Sequence, residues 1–536
     1  MSVSGNKKKK IVLTLLLGIV CFIIYLNRPD PEWTREYPAT KGKTCTIFLI
    51  DGLSSEIFKE ELEAGHLPTL AKLISKSMYT ENGNSSFPTM TGYGFFPFIT
   101  GAEATESGIL GLRWFDRNRS DGNLRNYVGR TNIHMNEDLS DSIKNFFELS
   151  GNAYTASINT YMNRGVKHPI MTGWAHTTAK YEGKSLFKWL RLIPFYGEDI
   201  AKDHFEHESE VLQMSLRQLR KNPKVHWVTF PSPDAYNHVF GTDVKYHQLI
   251  RHIDSLIGVY VNEVKSIGQE SDRMIAVVSD HGISDVHENI DFCKWMEEHT
   301  GLHIERGKSV HVLSSALDEP IESLSKKDGY FVINGNLTAY LYMKNNTFVA
   351  KEQWKYPLPA PMLKNYPAGN KMINIPELLT QMDGLELIIY KENPEEMVIL
   401  NGQEKAIVKR IDHRLSYHVI EGNPLNYPDS LRRIPLTSYQ WLQRTTETDF
   451  PNAIPRIWQL MSAKGIGDIV MTSRKGVDLA NDYEIFVGNY KGGHGGLRKE
   501  IITVPYILYR PGHVPGKMNA MNSAEVGRMI KEFLCF

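Results

Sequence analysis

Cysteine is scarce in this chain of 536 residues, and its charges cancel. Only four cysteines occur, and no Cys-x-x-Cys pair is present. Cysteines so few and so scattered exclude a disulfide framework and argue against a structural zinc–thiolate site. Lysine and arginine together number 61, as do aspartate and glutamate. Because neither sign is in excess, the net charge points to no acidic partner, and we expect no nucleic acid polymer as a partner.

Long hydrophobic runs are also lacking, with one exception near the N-terminus. Residues 11–26 carry no charge and follow a run of four lysines at 7–10. This stretch approaches the roughly 20 residues of a membrane-spanning helix, and the lysines favour a cytoplasmic N-terminus. We therefore predict a cytoplasmic tail at 1–10, a transmembrane signal anchor at 11–27 and a tether at 28–43. The protein would be a single-pass membrane protein with its folded part on the extracytoplasmic side. A cleaved signal sequence and an interfacial helix are the alternatives.

Four apolar segments rich in β-branched residues have the composition of buried strands. They cover 44–50, 225–230, 274–278 and 501–509, and strands that are apolar on both faces are typical of parallel sheets. Helical patterns lie between them, the clearest being the apolar stripe of 246–267. Strands that alternate with helices predict an α/β fold with a doubly wound, mostly parallel sheet.

The pattern changes between 301 and 482. Short β-rich segments separated by turns replace the strand–helix alternation there. We therefore predict that the main α/β domain is formed by 44–300 and 483–536. The residues 301–482 would form an inserted, smaller α+β subdomain, rich in β-strands, that covers part of the functional site.

Side chains able to bind metal lie at or just beyond the predicted strand ends. Asp51 and the adjacent pair Asp280–His281 directly follow two of the strands, and Asp234 lies just beyond a third. Ligands of doubly wound sheets bind at the carboxyl ends of the strands. His238 comes four residues after Asp234, so on a helical turn both would point to one face. Taken singly, each residue also has an ordinary explanation as a solvated loop residue or helix cap.

Two further segments complete the pattern. Four glycines surround His494, so the backbone can bend tightly around this imidazole. The segment Pro88-Thr89-Met90-Thr91 places a hydroxyl before an apolar run, at a helix N-terminus that would stabilise an anionic phosphorus group. Thr89 and Thr91 are rivals for the role of nucleophile. Three Asp, three His and one hydroxyl indicate two metal sites with a nucleophile between them. The set is Asp51, Thr91, Asp234, His238, Asp280, His281 and His494.

The order of these motifs resembles that of the alkaline phosphatase superfamily. Asp-Gly, Pro-Thr-x-Thr, Asp-x-x-x-His, Asp-His-Gly and Gly-x-His-Gly follow one another as they do in its type I phosphodiesterase/nucleotide pyrophosphatase branch. The resemblance covers about residues 44–290 and 490–536 and implies an alkaline phosphatase-like fold. It favours Thr91 over Thr89 as the nucleophile, because of the step from Thr91 to Thr100-Gly101. It also implies two divalent ions, expected to be zinc. One would be held by Asp234, His238 and His494, and the other by Asp51, Thr91, Asp280 and His281.

Together with the predicted anchor at 11–27, the resemblance implies a membrane-anchored phosphodiesterase or phosphotransferase that works through a phospho-threonine intermediate. Its substrate would be a phosphoester such as a nucleotide or a lipid head group. A phosphate monoesterase of the same superfamily and a catalytically inactive binding module on this fold are the alternatives.

Two details concern the substrate. Arg113 is a candidate substrate contact, although a packed aromatic segment with a surface arginine explains Arg113-Trp114-Phe115 more readily. The branch often has Phe-Pro-Asn after the nucleophile, where this chain has Gly92-Tyr93-Gly94. A phosphoryl oxygen bound there therefore needs another donor, such as a backbone N–H.

Overall fold

The structure is a computed structural model of the chain. It describes residues 13–22, 37, 40–117, 124–128, 133–171, 198–306, 326–349, 352–479 and 490–536. The predicted cytoplasmic tail at 1–10 and most of the predicted tether at 28–43 lie outside the described residues.

Two large sheets contain most of the strands. In chain order these strands are β1 Thr44–Ile50, β2 Met78–Asn84, β3 Ala156–Ile158, β4 His168–Ile170, β5 Val225–Phe230, β6 Arg273–Val278, β7 Ile304–Arg306, β8 Gly329–Asn334, β9 Thr338–Met343, β10 Leu385–Asn393, β11 Glu396–Asn401, β12 Glu404–Ile411, β13 Arg414–Glu421, β14 Ile469–Ser473, β15 Thr503–Tyr509, β16 Gly516–Lys517 and β17 Met521–Asn522. Four short ribbons pair Arg113–Phe115 with Leu124–Asn126, Ser284–Asp285 with Gly492–Gly493, Glu288–Asn289 with Val477–Asp478, and Tyr366–Ala368 with Lys371–Ile373.

Helices pack against both sheets. In chain order they are α1 Ser55–Glu63, α2 Pro68–Ile74, α3 Phe96–Thr100, α4 Ile133–Asp138, α5 Phe146–Leu149, α6 Glu198–Leu219, α7 Ser232–Phe240, α8 Val244–Ser266, α9 Phe292–Thr300, α10 Ala360–Leu363, α11 Ile375–Leu379, α12 Ser438–Thr445, α13 Ala453–Ser462, α14 Lys499–Ile502 and α15 Ser523–Leu534. Short 3-10 turns occur at Tyr93–Phe95, Ala104–Ser107 and Asp429–Leu431.

The first sheet has nine strands and supports the candidate site. Its order is β16-β2-β15-β6-β1-β5-β3-β4, with β17 beside β2. The central strands β6, β1, β5, β3 and β4 run parallel, and every residue of β1, β5 and β6 is buried. The α/β fold with a large central sheet is therefore as predicted. The predicted strand at 501–509 begins at Thr503 and runs antiparallel to β6, so the sheet is mixed.

The second sheet has eight strands in the order β7-β8-β9-β14-β10-β11-β12-β13. From β8 to β13 every neighbouring pair is antiparallel. Short turns join β8 to β9 and the successive strands from β10 to β13. All eight strands lie within the segment predicted to be inserted. The domain boundaries themselves stay a prediction.

The membrane prediction is wrong. No helix among the described residues is long and apolar enough to cross a bilayer. This finding overturns the predicted transmembrane anchor, and with it the single-pass topology and the membrane as a partner through that helix.

A close helix contact holds the segment that carries the candidate nucleophile. The helix α3 follows this segment and packs against α15, with Gly527 at the point of contact. A Cβ atom at Gly527 would lie 2.0 Å from the carbonyl oxygen of Pro97 and 2.7 Å from the nitrogen of Gly101. Because both neighbours are backbone atoms, only glycine lets the two helices approach this closely.

We expect the substitution Gly527→Ala to lower the free energy of unfolding by about 1–3 kcal/mol, because the added methyl group overpacks the contact between α3 and α15. Gly516→Ala is the matched control, since a Cβ atom there meets nothing within 4 Å; its effect should stay within about 0.5 kcal/mol. Denaturant unfolding of both variants tests this. Equal stability of the two variants would contradict it.

Candidate functional site

The ends of three neighbouring parallel strands bring the predicted site residues together. Asp51 follows β1, and the pair Asp280–His281 lies just beyond β6. Asp234 and His238 lie on α7, which begins two residues after β5. In the sheet β1 lies between β6 and β5, so the carboxyl ends of all three strands meet at one edge.

The first half of the site is centred on His281. Its Nε2 atom lies 3.4 Å from Oδ1 of Asp51 and 3.5 Å from Oδ2 of Asp280. The hydroxyl of Thr91 lies 3.1 Å from the same Nε2 and 3.4 Å from Oδ1 of Asp51. Asp51, Asp280 and His281 are all buried. The Thr91 hydroxyl is therefore in direct contact with two side chains of a buried carboxylate–imidazole cluster.

The second half of the site is centred on Asp234. Its Oδ2 lies 3.4 Å from Nε2 of His238, and its Oδ1 lies 3.6 Å from Nε2 of His494. The rings of His281 and His494 stack with centroids 3.8 Å apart, which joins the two halves. Two groups of donor atoms lie within 4.8 Å of one another, as expected for metal ligands: Asp51, Asp280 and His281, and Asp234, His281 and His494.

All three imidazoles are oriented by backbone carbonyl groups. The Nδ1 atoms of His238, His281 and His494 lie 2.8, 3.0 and 2.8 Å from the carbonyl oxygens of Gly492, Gly282 and Thr89, respectively. A carbonyl oxygen only accepts, so Nδ1 carries the proton and each Nε2 keeps a lone pair directed at the carboxylates. This is the arrangement that metal-binding histidines require.

Burial dominates the electrostatics of the site. It raises the pKa of Asp51 well above its usual range, and the neighbouring charges of Asp280 and Asp234 raise it further. Burial also raises the pKa of Asp280 and lowers the pKa of His494 well below its usual range, with His281 adding to the effect. Burial opposes ionisation of Asp234 as well, but the charges of His238 and His494 outweigh it and lower the pKa of that carboxyl.

The unsatisfied oxygens of the site fit divalent metal ions. Both carboxylate oxygens of Asp280 and Oδ1 of Asp234 are buried and receive no hydrogen bond from the residues that the structure describes. Within the same described residues, no lysine or arginine forms a salt bridge with Asp51, Asp234 or Asp280. Buried carboxylates without a donor or a counter-ion are costly, and a divalent cation would neutralise them. The nitrogen and oxygen donors suit zinc or a similar ion.

A third cluster of possible ligands is already neutralised. Glu60, Glu61 and His247 also have donor atoms within 4.8 Å of one another. However, Glu61 accepts hydrogen bonds from Nε and Nη2 of Arg251 at 2.6 and 2.9 Å. These bonds to Arg251 are the largest cause that lowers the pKa of Glu61 to about 2. The arginine occupies the position that a metal ion would need.

The two threonines have different surroundings. The hydroxyl of Thr89 donates to the carbonyl oxygen of Gly496 at 3.1 Å and accepts from the N–H of Gly495 at 2.8 Å. Its own carbonyl oxygen receives the bond from His494. Thr89 therefore holds the glycine-rich loop in place, and of the two hydroxyls only that of Thr91 contacts the cluster.

Arg113 lies in the short ribbon Arg113–Phe115 and is buried. Its backbone N–H donates to Oδ1 of Asn334, and its carbonyl oxygen accepts from Nδ2 of the same residue. The structure thus connects Arg113 with the second sheet. Its role in substrate binding stays a prediction.

The second sheet also contributes residues that the sequence did not point to. The turn between β8 and β9 contains Gly335 and Asn336, and His494 donates its N–H to the carbonyl oxygen of Gly335. A Cβ atom at Gly335 would lie 2.7 Å from Nδ1 of His494 and 2.5 Å from Sδ of Met90. An Asn-Gly pair between β-rich segments indicates a turn, but no sequence signal places that turn behind His494.

Comparison with known proteins identifies the family. The family model described as type I phosphodiesterase / nucleotide pyrophosphatase matches residues 46–356, more than half of the chain. The chain belongs to this family. The resemblance seen in the sequence, including its place in the alkaline phosphatase superfamily, is thereby confirmed.

Curated relatives in the family match about half of the chain. The protein described as ectonucleotide pyrophosphatase/phosphodiesterase 2 of Saccharomyces cerevisiae is 23% identical over 302 residues, which cover 51% of this chain and 57% of the relative. Human ectonucleotide pyrophosphatase/phosphodiesterase family member 1 is 23% identical over 271 residues, which cover 48% of this chain and 25% of the relative. The matched part thus spans less than two thirds of either relative.

Solved structures similar to this one include murine ectonucleotide pyrophosphatase/phosphodiesterase 5, an inactive form in complex with AMP. It has a TM-score of 0.49 and 12% identity, and the match covers 92% of this chain and 96% of that chain. Phosphonoacetate hydrolase from Sinorhizobium meliloti, in complex with phosphonoacetate, has a TM-score of 0.49 and 14% identity, with 93% and 97% covered. Likeness at this level does not bear on function.

We expect Gly335→Ala to weaken the binding of a divalent metal ion, tested with Zn²⁺, about tenfold or more, because the methyl group displaces the ring of His494. The control is Gly402→Ala, which has a similar positive φ (+57° against +64°) but meets nothing within 4 Å. Both variants should lose about 1–2 kcal/mol of stability from the left-handed backbone, and Gly335→Ala should lose more because its methyl group overlaps Met90 and His494. Chelator competition measures the zinc affinity. Equal affinities in the two variants would contradict the role of the β8–β9 turn.

Proposed function

We propose that this protein is a two-metal phosphodiesterase in which Thr91 is the nucleophile. The observation that carries the proposal is the position of the Thr91 hydroxyl, which contacts the buried side chains of Asp51 and His281 in a cluster of three carboxylates and three imidazoles. Membership of a family of nucleotide pyrophosphatases and phosphodiesterases supports it.

The seven predicted residues divide between two ions. Asp234, His238 and His494 would hold one ion through Nε2 of the two histidines and a carboxylate oxygen. Asp51, Asp280, His281 and the Thr91 hydroxyl would hold the other. We propose zinc for both, since histidine nitrogen with carboxylate oxygen is a common zinc donor set. When bound, two such ions lower the pKa of the attacking hydroxyl and neutralise the charge that develops on the leaving oxygen.

The reaction proceeds by two displacements at phosphorus. The Thr91 hydroxyl gives its proton to water, and its oxygen attacks phosphorus and forms a new P–O bond, while the bond to the leaving oxygen breaks and that oxygen takes up a proton from water. Water then attacks the phospho-threonine, the bond between phosphorus and Thr91 breaks, and the free enzyme is restored. Thr91 lies at the start of the 3-10 turn and helix of 93–100. The backbone N–H groups of Thr91 and Gly92 donate to no carbonyl oxygen among the described residues. We propose that these two N–H groups donate hydrogen bonds to the phosphoryl oxygen.

The charge of the site favours diesters and nucleotide pyrophosphates over monoesters. A monoester has one more negative oxygen than a diester and needs an additional cation beside the metals. Neither lysine nor arginine forms a salt bridge with the three carboxylates within the described part of the chain. Phosphate monoesters are therefore the second candidate substrates. The names of the relatives support a nucleotide as the group esterified.

We expect Thr91→Ala to lower the turnover of a chromogenic phosphodiester by about 10³-fold or more, because the covalent intermediate cannot form. Zinc should remain bound at about two ions per chain. The matched variant Thr89→Ser keeps its hydroxyl and its bonds to the glycine-rich loop, so it should keep most of the activity. Activity assays with metal analysis test this. Full activity in Thr91→Ala, or none in the wild-type protein, would refute the proposal.

We expect the wild-type protein to hydrolyse a nitrophenyl phosphodiester about 100-fold faster than the corresponding monoester, judged by kcat/KM. This ratio is equivalent to about 2.7 kcal/mol in the barrier. The physical reason is the absence of an additional cation at the described carboxylates. A preference of similar size for the monoester would replace the diester with the monoester as the substrate class.

A further inference from the structure

The helix that presents Asp234 and His238 lacks a capping side chain at its own N-terminus. Its cap position is Pro231, and no side chain there accepts a hydrogen bond. The first N–H groups of a helix have no partner within the helix, and side chains of Ser, Thr, Asp or Asn usually bind them. The start of α7 therefore depends on an acceptor from elsewhere in the chain.

Glu208 provides this acceptor from a neighbouring helix. The N–H of Ser232, the first residue of α7, donates to Oε1 of Glu208 at 2.6 Å. Glu208 lies within α6 and is 0% exposed. Its other oxygen, Oε2, is buried and makes no hydrogen bond to the described residues. A buried carboxyl group is costly, and neither of the two proposed metal sites uses it.

The contacts of α7 leave little freedom for the metal ligands. Ser232 precedes Asp234 by two residues. On its other side Asp234 packs against Gly52, where a Cβ atom would lie 3.2 Å from the Cα of Asp234. One turn later Asn237 packs against Gly492, where a Cβ atom would lie 1.5 Å from Oδ1 of Asn237. A shift at the start of α7 therefore changes the position of Asp234 directly.

We infer that Glu208 is a positioning residue for the ion held by Asp234, His238 and His494, and that it acts by accepting the N–H of Ser232. The inference rests on the proposed function, since it presupposes that these residues bind a metal ion. Glu208 itself does not touch the ion or the substrate. It holds the first turn of α7 where Asp234 and His238 reach the ion together.

Glu208 positions α7 through its hydrogen bond and not through a negative charge. Burial raises the pKa of Glu208 to about 8, against the opposing effect of its bonds from Ser232. The carboxyl group is therefore largely neutral at pH 7, and a neutral carboxyl group still accepts through its carbonyl oxygen. Glutamine has the same shape and the same acceptor, so it should replace Glu208 without loss.

The test compares Glu208→Leu with Glu208→Gln in the full chain. Leucine fills most of the space but accepts no hydrogen bond. Chelator competition with Zn²⁺ should show that one of the two ions binds about 10- to 100-fold more weakly in Glu208→Leu. The other ion should keep its wild-type affinity, and Glu208→Gln should match the wild type within about threefold. The kcat of Glu208→Leu should recover when Zn²⁺ is raised to saturation, which a damaged fold would not allow.

Three results would contradict the positioning role of Glu208, and they differ in what else they imply. Wild-type affinity for both ions in Glu208→Leu would overturn the positioning role. An equal loss in Glu208→Gln would also overturn it, because the charge would then be what matters. If the wild-type protein binds no Zn²⁺ at all, the proposed function fails, and this inference fails with it. Glu208→Met, whose flexible side chain fills the same space, replaces Glu208→Leu if that variant does not fold.

Discussion

The gathering of three carboxylates and three imidazoles at one edge of the central sheet, most of them buried, is the constraint on which the structure depends. Such a cluster is unfavourable by itself, because desolvation raises the pKa values of Asp51 and Asp280 and lowers that of His494. The fold supports it with fixed geometry. Backbone carbonyl groups hold Nδ1 of each histidine, and glycines let the neighbouring segments come close enough to do so.

Both sheets are needed to build the site. The central sheet supplies the carboxylates at the ends of β1, β5 and β6. The second sheet supports His494 from behind, since the turn at Gly335 accepts its N–H and leaves no room for a side chain. The second sheet therefore helps to position His494, whether or not it also covers the site.

Local patterns explain why much of the architecture was predictable and why some of it was not. The strands β1 and β5 were predicted with their observed bounds, because an apolar run on both faces of a strand is a strong local signal. The antiparallel direction of β15 was not predicted, because the composition of a strand does not tell in which direction it runs in the sheet. The N-terminal segment is apolar in composition, yet no helix of the described residues is long and apolar enough to cross a bilayer.

The sequence by itself pointed to the family, because several short motifs follow one another in its order, and the match of the family model confirms it; the same motifs supplied the candidate ligands. Only the tertiary structure decided how they meet. It places the Thr91 hydroxyl beside His281, 190 positions away in the sequence. It also shows that the Thr89 hydroxyl is hydrogen-bonded to the glycine-rich loop. It also brings Glu208 to the start of α7. Contacts between residues distant in the chain depend on how helices and sheets pack, and no local pattern encodes that.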